Sequence, residues 1–500
     1  MKLSSLSFWA LLMLVVATAI TLSSCDPDED FLTGDGVNIR FELDTLRFDT
    51  VFTELGSATR FVKIFNEDNR PIKLDEIYVE GTTGVSFVFN ADGTPGPLVE
   101  DVIIWDNDSI YVFVEVTIDP DAPLSASPFV IEDRLVVKTG NKEQSVLLEA
   151  WGQNANYFPS RYNKGVPVIL SCDNGTITWD SPLPYVIYGE IFIDECLLEV
   201  TAGTHIYVHG GLAENELLGV FNDGFLFTLP QGKLHLAGTR EAPITIEGDR
   251  LEAGFAEQSG QWLGIIIGRE SQGNIIEHTT IKNSIFGVYA DSAAEVSLTN
   301  VKIHTTSSSG ILGVHSEIVA DNCLLYDNGG NAIQLTHGGS YQFDYCTVAS
   351  YGVDASALAV TNFQCYNEDC TSFDINPLEA AITNCIFFGS RRDEVIIQDF
   401  TGRSAPATMQ LDMDHCLVKV DELLTRNDGE YADFFATYCL DCVNGDQDDA
   451  LFLNRPEDDY QLDTLSIAQG KGVVLPAFPL DLLGTPRDEM PDIGCFERVE

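Results

Sequence analysis

Apolar and polar residues alternate in short runs along the first third of the chain, and the clearest run predicts a half-buried strand. Ile110, Val112, Val114, Val116 and Ile118 fall on one face, while Tyr111, Phe113, Glu115 and Thr117 fall on the other. Similar runs at residues 60–65, 77–79, 85–89, 134–138 and 145–150 are separated by turn-forming stretches such as Asn66 to Asn69 and Gly140-Asn141. Strands at this spacing over residues 38–156 predict a β-sandwich.

Farther along, a seven-residue phrase recurs at Thr280–Phe286, Ser297–Ile303, Val319–Leu325, Gln342–Val348, Ala381–Phe387 and Asp412–Val418. Its fourth position reads Asn283, Asn300, Asn322, Tyr345, Asn384 and His415, and its second, fifth and seventh positions are small or apolar. Intervals of 17, 22, 23, 39 and 31 residues between those fourth positions predict one coil of a solenoid per phrase, with loops inserted in the later coils. Asn suits a sharp bend between strands because it tolerates a left-handed backbone, and stacked amides can hydrogen-bond along the axis. Each coil leaves both edges unpaired, so only stacking satisfies them. Earlier rungs are expected from Val186 to His209, Lys233 to Thr239 and Pro243 to Gly248, with Gly at the corners. The pattern places the solenoid over residues 185–420, a linker and N-terminal cap over 157–184, and an irregular C-terminal segment and cap over 421–500.

These phrases resemble the right-handed parallel β-helix of pectin-lyase-like proteins. The tail, with Asp459 to Ser466, Gly470, Asp481 to Gly484, Arg487 and Asp492 to Glu497, is similar to the closing segment of such proteins. Arg487, Asp492 and Glu497 are expected to form a polar cap over the last rung. The order Ser57 to Arg60, Phe65-Asn66 and Leu147 to Gly152 resembles immunoglobulin-like domains of bacterial surface proteins. The expected fold class is all-β, an N-terminal immunoglobulin-like β-sandwich followed by a right-handed parallel β-helix. The resemblance implies a glycan-binding, adhesive or structural role for the long β-helical face. The alternative it implies is a polysaccharide lyase or glycoside hydrolase acting on that outer face.

At the N-terminus, Lys2 precedes an apolar run from Phe8 to Ile20 that is too short for a comfortable membrane span. Leu22-Ser23-Ser24-Cys25 resembles a lipobox. This implies a signal peptide over residues 1–24 and lipidation of Cys25, whose several acyl chains would anchor the mature chain to a membrane. Asp26-Pro27-Asp28-Glu29-Asp30 reads as an extended tether within residues 25–37 and is similar to the acidic export tags of Bacteroidota surface lipoproteins. The expected location is the outer membrane, lipid-anchored and exposed at the cell surface, with a periplasmic orientation as the alternative.

Charge excludes one class of partner. With 27 Lys and Arg against 77 Asp and Glu, the net charge of -50 repels nucleic acid. The acids are scattered along the chain, as on a solvated surface. Setting Cys25 aside from twelve cysteines leaves eleven, so they cannot all pair internally. Cys323, Cys346, Cys385 and Cys416 share the fifth repeat position and are expected to be a buried column of free thiols. Cys365 with Cys370, and Cys439 with Cys442, lie near enough for local disulfides, and Cys172 and Cys196 could pair across the first coil. The sequence leaves these pairings, Cys495 and the oligomeric state open. A redox role for the CxxC pair lacks a surrounding βαβ pattern, and a zinc site there lacks a second pair.

A β-helical lyase needs a basic residue near Ca²⁺-binding carboxylates, and a hydrolase needs two or three acids close together. Acids abound in this chain, so none stands out. No catalytic residue, metal ligand or cofactor is assigned, Ca²⁺ being the one cation that a lyase reading would add. Arg391-Arg392-Asp393-Glu394, with Asp399 beyond, is the locally basic cluster of the solenoid and could grip a carboxylated sugar; the plainer reading is a surface ion-pair group. Asn444 to Asp449 has the composition of a Ca²⁺ loop without EF-hand spacing. His205 and His209 share a strand face at a separation of about 13 Å, too far for one metal. The reading that follows is a membrane-anchored lipoprotein presenting a β-helix, with a polysaccharide as its expected ligand.

Overall fold

The computed structural model describes residues 31–52, 59–81, 86–117, 129–153, 155–158, 167–215, 219–222, 224–251 and 254–498. Cys25, the apolar run from Phe8 and the acidic stretch from Asp26 to Asp30 lie outside the described residues. The chain divides into two units, the first ending at Gln153 and the second beginning at Asn154.

The first unit is a sandwich of two five-stranded sheets. In one sheet Ser109–Thr117 lies between Arg60–Asn66 and Ser86–Ala91. Its burial alternates as the sequence pattern requires, with Ile110, Val112, Val114 and Val116 buried against Val62, Ile64, Leu74, Ile77, Val137 and Leu148. The other sheet contains one parallel pair, Thr45–Phe52 beside Lys142–Gln153, among otherwise antiparallel strands. The turn at Asn66 is stapled from within. Buried Asn66 donates from Nδ2 to the carbonyls of Arg70, Ile104 and Trp105, and its Oδ1 accepts from Asp68 N.

The second unit is a parallel β-helix with three strands per coil. A representative coil runs through Val288–Ala290, Glu295–Thr299 and Lys302–Thr306 before Ile311–Val314 begins the next. Each strand pairs in parallel with its successor one coil later, producing an eleven-stranded sheet and a seventeen-stranded sheet. The interior is built from columns of like positions. Leu298, Ala320, Phe343, Ile382 and Met413 form one; Val301, Cys323, Cys346, Cys385 and Cys416 form the next; Ile303, Leu325, Val348, Phe387 and Val418 form a third. Parallel in-register stacking explains why the same side-chain volume recurs at one position: each residue fills the space between its copies above and below.

Pairing corrects the repeat register at its first member. Glu277 pairs with Thr299, which aligns His278 with Asn300; Lys282 pairs with His304, which aligns Asn283 with Thr305. The true column is therefore His278, Asn300, Asn322, Tyr345, Asn384 and His415, all left-handed with φ between 43° and 57°. Asn283 belongs to a second left-handed column with Thr305 and Asp327. Two bends of the same backbone shape in one coil present the same residue preference, so a phrase ending in Asn fits either. The first interval becomes 22 residues, from His278 to Asn300, in line with the next two of 22 and 23.

The bend amides do not stack on one another as expected. Asn300 Nδ2 reaches His278 Nε2 at 3.3 Å, but Asn322, Tyr345 and Asn384 bond to the C-terminal segment: Asn322 Nδ2 to Leu480 O, Tyr345 Oη to Val473 O, and Asn384 to both N and O of Val473. Val473 and Leu480 lie outside the paired strands of that segment, and the column takes up their carbonyls. The expected polar cap is corrected accordingly. Arg487 lies along the flank of the solenoid, donating to Asn322 Oδ1 at 2.9 Å and to Glu497 at 3.2 Å, with its guanidinium 3.6 Å above the Tyr345 ring. Asp492 accepts from the backbone of Gly470 and Arg498. Beneath the tail, Leu324, Ile386, Phe388 and Leu417 form a second apolar core with Phe452, Tyr460, Ile493, Cys495 and Phe496.

The helical sheets also extend beyond residues 185–420. Asn156–Phe158 pairs in parallel with Tyr185–Tyr188, and Val168–Trp179 with Glu190–Thr201, within the stretch expected as a linker. At the other end Cys439–Leu440 and Val443–Asn444 add a further rung. A register shift between Ser171 and Gly175 places a polar run inside the first long strand, which hides its alternation. Disulfides join Cys172 to Cys196, Cys365 to Cys370 and Cys439 to Cys442, while Cys323, Cys346, Cys385, Cys416 and Cys495 are free and buried.

Candidate functional site

Loops inserted into the last coils, the feature signalled by the intervals of 39 and 31 residues, border a series of surface depressions on the second unit. Arg391 and Arg392 stand in the loop between Ile386–Gly389 and Val395–Gln398. Glu394 fixes that loop from inside, accepting from Arg391 N at 2.8 Å and from Ala357 N at 2.9 Å. Burial pushes the Glu394 carboxyl up to about 7, against the opposing pull of those amides and of the Lys419 and Arg391 charges. Lys419, itself buried, donates to Gly389 O at 2.6 Å and to Gln447 Oε1, and burial lowers its pKa. Glu394 is thus a structural brace and holds the arginines outward.

Outside the brace, Arg391 pairs with Asp354 and Arg392 with Glu422 at 2.7 Å. Arg426, exposed, has no carboxylate partner among the described residues. These side chains, with Ser356 and Ser390, border a cleft of about 430 Å³. The cleft is the end of a longer groove. A second depression shares Ile396 and Arg426 with it and runs on to Asp399; a third shares Asp399 and continues past Arg403 to Gln410 and Asp412; a fourth shares Gln410 and Asp412 and crosses the outer side of the strands at Ser340, Gln342 and Glu379.

Asp399 organises the middle of the groove. Burial raises its pKa, but hydrogen bonds from Thr401, from Asn362 Nδ2 at 2.7 Å and from Arg403 N outweigh that and hold it below the usual carboxylate range. Arg403 in turn makes a two-pronged contact with Asp433, 2.8 Å on each arm, and lies over the rings of Tyr431 and Tyr438. Next to Asp399 in the chain, Phe400 packs on Phe373 at 4.1 Å and Phe363 at 5.1 Å, and Phe400, Phe373 and Tyr366 are exposed. Phe363, Tyr366 and Phe373 belong to a hairpin, Phe363–Cys365 with Phe373–Ile375, spanned by the Cys365–Cys370 disulfide.

The sequence-predicted residues fall as follows. The Arg391 to Glu394 cluster and Asp399 come together in this groove. The Asn444 to Asp449 stretch spends its polar groups internally: Asn444 bonds to both backbone groups of Val420, and Asp449 accepts from Asp446 N. His205 and His209 each bind a separate acid, Glu247 at 2.6 Å and Asp249 at 2.7 Å. Sequence reasoning missed Arg426 and the Phe363, Phe373 and Phe400 group, which inserted loops bring together and no periodicity marks. It also missed Asp321 and Asp344, stacked in register on adjacent rungs and both buried, with Asp344 accepting from Gln342 Nε2 at 2.7 Å. Their signal was available, since each immediately precedes a bend-column residue.

A parallel solenoid with looped late coils defines the class of fold of the second unit, and one family model matches its handedness. Residues 260–371 match the family model described as right handed beta helix region. No curated protein matches the chain. Among solved structures, a family 123 glycoside hydrolase from Clostridium perfringens aligns with 10% identity and a TM-score of 0.16 over 25% of this chain and 31% of its own. The catalytic domain of a GH87 α-1,3-glucanase in complex with nigerose aligns with 10% identity and a TM-score of 0.25 over 76% of this chain and 82% of its own. Alignments at these scores say nothing of what this chain binds. The chain spans about a third of the length of the first of these hydrolases.

Proposed function

We propose that this chain is a lipid-anchored lipoprotein displayed at the cell surface, and that the groove on the last coils of its β-helix holds a glycan bearing carboxylates. The observation that carries the reading is the make-up of that groove, with Arg391, Arg392 and Arg426 at one end, the last without a carboxylate partner among the described residues, and Asp399 farther along, followed in the chain by exposed Phe400 packed on exposed Phe373. A guanidinium fork matches a carboxylate in two parallel hydrogen bonds, and aromatic faces offer apolar area to the carbon faces of a sugar ring. An open groove crossing several rungs suits an extended chain more than a compact ligand. The lipobox-like Leu22 to Cys25 and the acidic tether support the anchored, exposed location.

A second reading, a lyase or hydrolase on the same face, is favoured by the Asp321 and Asp344 pair. Burial, then the charge of Asp344, push Asp321 up to about 7, which brings a carboxyl able to give or take a proton near neutral pH beside a second carboxyl group. Incubating the purified chain with a panel of acidic and neutral polysaccharides, with and without Ca²⁺, separates the readings. Retention of acidic polymers without unsaturated products or new reducing ends supports the binding module. Product release lost on Asp321→Asn supports the enzyme, and neither retention nor product release with any of the polymers contradicts both.

A further inference from the structure

The column of left-handed bends ends in His415 and Asp441. Asp414 pairs with Leu440, and His415 N donates to Leu440 O at 3.0 Å, so Asp441 follows His415 in the column; their φ angles are 48° and 51°. Upstream, Asn322, Tyr345 and Asn384 spend their side chains on the C-terminal segment. His415 and Asp441 make no side-chain hydrogen bond to that segment among the described residues; His415 Nδ1 bonds to Asp414 at 2.9 Å instead. The column thus passes out from under the tail, and its last two positions carry metal-ligating side chains beside Asp414.

We propose that Asp414, His415 and Asp441 form a site for a borderline divalent cation of the zinc class. One ligand atom from each of the three lies within 4.8 Å of the others. Atoms sharing a tetrahedral ion at about 2.1 Å lie about 3.4 Å apart, so closure requires side-chain rotations that draw the most distant pair together by up to about 1.4 Å. Two features fix the backbone that carries them. Asp414 and His415 end a strand hydrogen-bonded on the preceding rung, and Asp441 stands in a turn closed by the Cys439–Cys442 disulfide. One imidazole and two carboxylates form a mixed nitrogen and oxygen set, which suits zinc; Ca²⁺ takes six to eight oxygens, and this site offers too few. Three protein ligands leave a coordination position for water or a ligand group. The ion would clamp the last two rungs together where no further coil covers the edge, so binding stabilises the end of the solenoid.

The test is calorimetric titration of the full chain, purified without a histidine tag, with Zn²⁺ and separately with Ca²⁺, alongside thermal melts. One Zn²⁺ per chain, a raised Tm with Zn²⁺ and no Ca²⁺ binding at the same concentrations are expected. His415→Asn substitutes the residue the column itself uses, so its Tm in chelator should match the wild type while Zn²⁺ affinity falls by about tenfold or more. Asp441→Asn should weaken Zn²⁺ in the same way. Absence of Zn²⁺ binding by the wild type, or undiminished affinity in both variants, overturns the site; equal affinity for Ca²⁺ overturns its chemical class.

Discussion

Asn384 holds Val473 with both ends of its amide: Oδ1 accepts from Val473 N at 2.8 Å and Nδ2 donates to Val473 O at 2.7 Å. The contact joins residues 89 apart, and it does so from a backbone in the left-handed region, φ 54°. Asn384→Gly keeps that backbone and loses the clamp, while Asn384→Val loses the clamp and forces a β-branched residue into it. Valine should therefore cost about 1 to 3 kcal/mol more than glycine, the usual range for such strain. Chemical denaturation of the two variants measures the difference. Both should speed hydrogen exchange at Val473, whereas replacing half-buried Lys302 by Ala should change stability by less than about 0.5 kcal/mol.

The five free thiols should not react in the native protein. Cys323, Cys346 and Cys385 each donate to backbone carbonyls within the core, and burial pushes all three thiols up, with that of Cys495 raised to about 12. A thiol reagent without denaturant should leave these and Cys416 unmodified. Peptide mapping after denaturation should then find all five labelled and Cys172, Cys196, Cys365, Cys370, Cys439 and Cys442 still paired. Native labelling at any position of the column would contradict the packing.

Asp321 should make stability depend on pH. Burial and the neighbouring Asp344 charge raise its pKa from 3.8 to about 7, so folding favours its protonated form. That contribution is complete below 3.8 and is lost as pH rises through 7. Asp321→Asn removes the titration, and its stability advantage over the wild type should widen from near zero at pH 3.5 to about 1 to 3 kcal/mol at pH 8. Denaturant titrations at both pH values check the sign; an advantage that shrinks as pH rises would be the wrong one.

Much of this architecture was legible in the sequence because its cause is local. A strand with one wet face must alternate, and Ile110 to Thr117 does; a left-handed bend accepts few side chains, and Asn300, Asn322 and Asn384 announce it. The failures have physical reasons too. Asn283 was misplaced because two bends per coil share one preference. Residues 168–179 looked like a linker because Ser171 to Gly175 interrupt the alternation of a strand that pairs throughout its flanks. The tail looked like an end cap because its contacts with Asn322, Tyr345 and Asn384 span 89 to 165 residues, which no short pattern records. The groove was half visible: Arg391 and Arg392 are adjacent in sequence, but Arg426 reaches it only through folding.

The anchor has a direct test. Cys25→Ala should release the chain from membranes or block its processing, because the lipid is the expected attachment. Fractionation after a high-salt wash checks it, and a variant that remained with the membrane would contradict the lipoprotein reading.

The groove's preference for carboxylate is best measured with one oligosaccharide in two forms, carrying its carboxylates or with them reduced to alcohols. Calorimetric titration should give tighter binding of the carboxylated form, weakened by added salt, and the preference should vanish in the Arg392→Ala, Arg426→Ala double variant while residual binding to both forms persists. Equal affinity for the two forms, or an undiminished preference in the double variant, would contradict the account.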